Sequence, residues 1–204
     1  VMLDDRHMKA SDIYKTAVKL HKKEDYNPPS YNEDKFKVRS VFEKGGLCFY
    51  VMPKSGRTTE FFMYIHGGGF VSRITHNEWK FVFDTVERTG YGAVVPIYPL
   101  APEHSVTEAL DMLTGAYDKL CDSEDAQRLV LLGHSSGGCL ALSLAIQLWK
   151  KGMRRPDKLI LCSPVLDTEF EDTELEQKMS DKSRFMYRYY YTPEIKHFLS
   201  AYWV

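Results

Sequence analysis

Hydrophobic and polar positions change their period several times along the 204 residues. Ser11 precedes a run with Ile13, Ala17 and Leu20 on one face, so the opening reads as a helix that ends before Asn27, Pro28 and Pro29. Two strand-like segments follow, Phe36 to Phe42 and Leu47 to Met52, joined across Gly45 and Gly46 as a hairpin would be. From there short apolar runs alternate with helical patterns. The runs Phe61 to Ile65, Ala93 to Ile97, Leu129 to Leu132 and Leu159 to Cys162 read as strands. Between them, Trp79, Phe83 and Val86 mark a helix that stops near Gly90, and Val106, Ala109, Leu110, Leu113 and Leu120 mark a second. A third follows the strand Leu129 to Leu132 and runs through Trp149.

Continuous apolar strands separated by amphipathic helices predict a mostly parallel sheet covered on both faces, the α/β class. The rhythm breaks after residue 166. Asp167 to Lys182 is acidic and polar, and Arg184 to Trp203 is dense in aromatics, with a helix expected from Pro193. Three segments result: an N-terminal helical cap segment over 1–34, an α/β core over 35–166 and an aromatic helical cap segment over 167–204.

Composition narrows the function classes. Hydrophobic residues make up 44% and charged residues 27%, and the net charge of −1 with interspersed signs provides no basic face, so no nucleic-acid partner is expected. Cys48, Cys121, Cys139 and Cys162 lack CxxC spacing, and three of them sit in apolar runs, which predicts free, mostly buried thiols. The first thirty residues lack the order of a signal peptide, and the longest apolar run, Leu140 to Trp149, is too short to span a bilayer. A cytoplasmic protein with no membrane span is the resulting expectation.

Two motifs carry chemistry. Gly133-His134-Ser135-Ser136-Gly137 has the form G-x-S-x-G between an expected strand and helix, where a sharp turn lifts a serine hydroxyl clear of the sheet. A plain strand-to-helix turn is the bland alternative for the same residues. His66-Gly67-Gly68-Gly69-Phe70 directly follows the strand Phe61 to Ile65, and its glycines leave backbone N–H groups free to point at a bound oxygen. The bland alternative there is a flexible glycine turn.

Together with Tyr98-Pro99-Leu100-Ala101-Pro102-Glu103-His104, these residues resemble the hormone-sensitive-lipase-like branch of the α/β-hydrolases, over roughly residues 35 to 166. The resemblance implies an eight-stranded α/β-hydrolase fold with a helical cap, and hydrolysis of carboxylic esters, often of short or medium acyl chains. It implies Ser135 as nucleophile and an oxyanion hole from the N–H groups of Gly67, Gly68 and Ser136, with His66 and Glu103 bracing the loops. No metal or organic cofactor is implied. The chain departs from the family where His134 replaces a more usual Asp and Pro99 a more usual Arg. His134 adjoins the serine at a sharp turn, so its side chain is expected to point elsewhere, as a packed or half-exposed histidine.

A serine hydroxyl needs a histidine base, and that histidine a carboxylate. The family order is Ser, Asp, His. After Ser135 the sequence contains only His197, which Asp167 could orient, but Pro193 to Trp203 reads as a cap helix rather than a loop after a strand. The acid and base are therefore expected beyond Val204. On this reading the sheet is incomplete at its C-terminal side, and the chain is expected to associate with a missing C-terminal segment or with itself. The aromatics Phe185, Tyr187, Tyr189, Tyr190, Tyr191, Phe198, Tyr202 and Trp203 fit a pocket wall and a cap core equally.

Two functions follow. The first is a serine hydrolase acting on small-molecule esters through an acyl-enzyme on Ser135, amide hydrolysis using the same residues. The second is a hydrolase-like protein that binds ligands or partners without turnover.

Overall fold

The computed structural model describes residues 25–43, 46–123 and 126–166, together with Lys15 and Lys19. The expected opening helix lies largely outside these residues, and the expected cap segment over 167–204 lies wholly outside them.

Among the described residues six strands, β1 (Phe36–Glu43), β2 (Gly46–Pro53), β3 (Glu60–Ile65), β4 (Gly92–Ile97), β5 (Arg128–His134) and β6 (Lys158–Cys162), form one sheet in the order β1-β2-β4-β3-β5-β6. The expected hairpin is the antiparallel pair β1–β2, with Phe42 opposite Leu47. β2 joins β4 antiparallel, whereas β4, β3, β5 and β6 run parallel. Parallel neighbours require crossovers, and three helices supply them: α1 (His76–Thr89), α2 (Val106–Ser123) and α3 (Ser136–Lys150).

The helices divide between the two faces, so the central strands are apolar on both sides. On one face, Trp79, Val82 and Val86 of α1 pack on Phe49, Phe62 and Val95. On the other, Leu113 and Leu120 of α2 and Leu140 and Leu144 of α3 pack on Phe61 and Met63. That double burial is why β3 is buried at every residue from Phe61 to Ile65 and reads as a continuous apolar run. α1 starts at a capping box, in which the Thr75 side chain accepts from Glu78 N–H while the Glu78 side chain accepts from Thr75 N–H, and it ends at Gly90 with φ 73°.

Residues 25–35 are not helical, and they run along α1. Trp79 is fully buried and donates its indole N–H to the Tyr26 carbonyl at 3.3 Å, while Tyr31 stacks on Phe83 at 5.4 Å. Arg73, just before α1, lies 4.6 Å from the Tyr26 ring centroid. Removing a tryptophan so enclosed typically costs about 3–5 kcal/mol, so this contact ties the N-terminal segment to the core.

Two expectations are corrected. β5 runs two residues past Leu132, because Gly133 and His134 pair with Leu161 and Cys162 of β6. The thiols are free as expected, but only Cys48 and Cys139 are buried; Cys121 is half-buried and Cys162 exposed. Cys162 is exposed because β6 forms the sheet edge among the described residues, where Ile160 also remains open to solvent.

Candidate active site

The serine of G-x-S-x-G stands where β5 turns into α3. Ser135 has φ 53° and ψ −121°, a conformation that a side-chain-bearing residue adopts only under strain. The turn is held from three directions. Ser135 N–H donates to the Cys162 carbonyl at 2.9 Å, and its own carbonyl accepts from Gly138 N–H at 2.9 Å and Val165 N–H at 3.1 Å.

Ser135 occupies the N-cap position of α3, yet its hydroxyl makes no capping bond. At the starts of α1 and α2, Thr75 and Ser105 do cap: each hydroxyl accepts an N–H three residues on, from Glu78 at 3.3 Å and from Glu108 at 3.4 Å. The positive φ of Ser135 turns its hydroxyl away from that role. The Ser136 N–H at the start of α3 is then left to favour negative charge beside the serine. Ser136 itself is fully buried, and its hydroxyl has no hydrogen-bond partner among the described residues.

Gly137 shows why the elbow needs small residues. A Cβ there would lie 2.1 Å from the Ile65 carbonyl oxygen and 2.2 Å from that of His66, so the backbone of α3 sits directly against the end of β3. Gly137→Ala is expected to destabilise the protein by about 3 kcal/mol or more, since rigid backbone atoms must move. Thermal unfolding read by circular dichroism measures this, and an unchanged Tm would show that the close approach is not real.

The glycine loop lies beside the elbow. A Cβ on Gly67 would fall 3.3 Å from the Ser135 Cβ and 3.0 Å from His134 Nδ1. Gly67 is buried, Gly68 exposed and Gly69 intermediate. Val71 and Ser72 both donate their N–H groups to the Gly68 carbonyl, at 3.1 and 2.9 Å, which folds the loop back on itself. His66 is 1% exposed; its Nδ1 lies 2.8 Å from the Gly67 carbonyl oxygen and its ring stacks on Tyr98 at 4.3 Å. Tyr98 OH donates to the His66 carbonyl at 2.9 Å, so the Tyr98 to His104 motif meets the glycine motif through this pair. Glu103 sits in the exposed turn before α2.

One expected donor is otherwise engaged. The Gly67 N–H, expected to serve the oxyanion, donates to Glu78 Oε1 at 2.8 Å. Glu78, which the motifs did not single out, thus bonds the glycine loop. His134 is half-exposed, as expected, with Nδ1 3.5 Å from Glu78 Oε1. Burial pushes the Glu78 carboxyl up, but the N–H groups of Gly67 and Thr75, with His66 nearby, outweigh it and hold the group below the usual carboxylate range.

Among the described residues no histidine bonds the Ser135 hydroxyl. Asp167 and His197 lie outside them, as does the aromatic segment 185–203. A cavity of about 440 Å³ lined by Arg57, Glu60, Gln127 and Arg128 opens at the N-terminal ends of β3 and β5. It is at the wrong end of the strands, since ligands of open α/β sheets bind at the carboxyl ends, where Ser135 stands.

A profile of the alpha/beta hydrolase fold family matches residues 62–202. An esterase of Acinetobacter venetianus is 34% identical over 110 residues, covering 53% of this chain and 36% of that protein. Hormone-sensitive lipase of mouse is 30% identical over 114 residues, covering 53% of this chain and 15% of its own length. An esterase/lipase structure from an uncultured bacterium superposes with a TM-score of 0.70 at 21% identity, covering 99% of this chain and 64% of that one. The chain thus spans about a third or less of the length of these two sequence relatives.

Proposed function

Because this chain belongs to the alpha/beta hydrolase fold family, in its hormone-sensitive-lipase-like branch, we propose that it hydrolyses carboxylic esters through an acyl-enzyme on Ser135. The observation that carries the reading is the Ser135 backbone at φ 53°, which leaves an N-cap serine with its hydroxyl uncapped beside a glycine loop.

In the proposed reaction Ser135 Oγ attacks the ester carbonyl carbon and its proton passes to a histidine base. The carbonyl oxygen becomes an oxyanion, the alcohol leaves with the proton, and water then cleaves the acyl-enzyme by the same steps. The oxyanion lies against the N–H groups of Gly68, Gly69 and Ser136. Gly67 is assigned a structural role instead, because its N–H is held by Glu78. His66 braces the loop through Tyr98. The base and its carboxylate belong outside the described residues, in the order Ser, Asp, His. This chemistry calls for no metal or organic cofactor.

Short to medium acyl chains are the proposed substrates. No helix among the described residues is long and apolar enough to cross a membrane. A cytoplasmic setting is part of the proposal, supported by four free cysteines, which suit a reducing compartment.

The test is covalent labelling. A fluorophosphonate is expected to add one phosphonyl group per chain, with peptide mapping placing it on Ser135. Labelling absent from Ser135 in the folded full-length protein would reject the nucleophile and favour a binding protein without turnover.

A further inference from the structure

We propose that Glu78 is a positioning residue that fixes the glycine loop against the elbow, so that the N–H groups of Gly68 and Gly69 are left facing the reacting oxygen. The proposal rests on the ester-hydrolysis reading and adds a residue that no motif in the chain marks.

A capping box accounts for only half of what Glu78 does. In such a box the glutamate reaches back to the N-cap N–H. Here Oε2 does so, accepting from Thr75 N–H and Thr75 Oγ–H, both at 2.9 Å. Oε1 is not needed for the box, and it faces the site instead. It accepts from Gly67 N–H at 2.8 Å and from Tyr64 OH at 3.2 Å, and lies 3.5 Å from His134 Nδ1. One carboxylate therefore joins the end of β3, the glycine loop, the start of α1 and the residue before Ser135. Its side chain is 12% exposed, which keeps these bonds from being exchanged freely with water.

The consequence for the loop is geometric. Gly67 N–H is held by the Glu78 carboxylate of α1, and the chain then turns through Gly68 at φ 110° and Gly69 at φ 63°. With Gly67 fixed, the orientation of the next two N–H groups is set before substrate arrives, which is what makes an oxyanion site effective. Without that anchor the loop could rotate Gly67 N–H toward the site or lift away from the elbow.

Glutamine at this position separates charge and acceptor capacity from shape. Both carboxylate oxygens meet backbone N–H donors, Gly67 on one side and Thr75 on the other. Whichever way a glutamine amide is turned, its NH₂ confronts one of them.

The experiment compares Glu78→Gln with wild type in the full-length protein, using p-nitrophenyl butyrate hydrolysis, thermal unfolding and hydrogen–deuterium exchange of the peptide spanning 66–72. Val86→Ala serves as the control, since Val86 is a fully buried residue of the same helix away from the elbow. Glu78→Gln is expected to lower kcat by about tenfold to a hundredfold with KM within about twofold, the scale of a misplaced catalytic group. Exchange at 66–72 should rise by about tenfold or more as local opening becomes easier. Val86→Ala should lower Tm while leaving kcat unchanged. A Glu78→Gln kcat within about twofold of wild type, unchanged exchange at 66–72, or an equal kcat loss in Val86→Ala at matched Tm would each overturn the proposal. Wild-type protein without Ser135-dependent turnover would defeat the ester-hydrolysis reading instead, and the exchange result would then decide the anchoring by itself.

Discussion

Ser135→Ala is expected to lower kcat for a p-nitrophenyl ester by about 10⁴-fold or more while the protein stays folded, because the nucleophile of a serine hydrolase acts as one unit with its base and cannot be replaced by binding alone. The stability half of this prediction comes from the local structure. The hydroxyl caps nothing, and the three bonds that hold the elbow all use the backbone of residue 135. Alanine keeps that backbone and loses only an oxygen. Tm is therefore expected to stay within about 2 °C of wild type, corresponding to less than about 0.5 kcal/mol at a site where no packed group is removed. Steady-state hydrolysis, Tm and fluorophosphonate labelling on the same preparation check both halves. Turnover near wild type in the folded variant would mean that another group attacks the ester.

What could be read ahead in the chain, and what could not, follows from the range of the interactions. β3 and β4 were legible because a strand covered on both faces has no polar side to interrupt its apolar run. The elbow was legible because its backbone approaches β3 so closely that only glycine fits at 137, and that requirement appears as a letter in the sequence. Glu78 was hidden for the opposite reason. Its local signal, a threonine followed three residues later by a glutamate, announces only a helix start. Its second oxygen matters because α1 begins beside the glycine loop, a relation set by the packing of Trp79 and Val82 on the sheet rather than by neighbouring residues.

The glycine motif shows the same limit within four residues. Three successive glycines announce free N–H groups, but not which of them faces a ligand. That choice is made by Glu78, which takes Gly67. Likewise an apolar run around Leu159 to Cys162 marks a strand, but the exposure of Cys162 depends on what lies beyond β6, and that is no property of the run itself.

Gly68→Val tests the oxyanion assignment with an expected kcat loss of about a hundredfold or more, the scale seen when a preorganised donor is removed. The reasoning combines strain with contact. Gly68 has φ 110°, outside the range of a β-branched residue, and a Cβ there would lie 2.7 Å from the Ser72 carbonyl oxygen and 2.9 Å from the Ser72 Cβ. Relieving the strain and the contact requires valine to change φ and ψ at residue 68, which turns the 67–68 and 68–69 peptides that carry the Gly68 and Gly69 N–H groups. The stability cost should be modest, about 1–3 kcal/mol, because the strained residue sits in an exposed loop rather than between packed elements. Ser135 keeps its elbow, its bond to the Cys162 carbonyl and its place at the start of α3. Near-UV circular dichroism of the variant should therefore match wild type while kcat falls and KM changes little, as expected for an interaction made mainly in the transition state. A rate equal to wild type in a folded Gly68→Val protein would reduce the glycine loop to a turn and leave the first turn of α3 as the sole donor to the oxyanion.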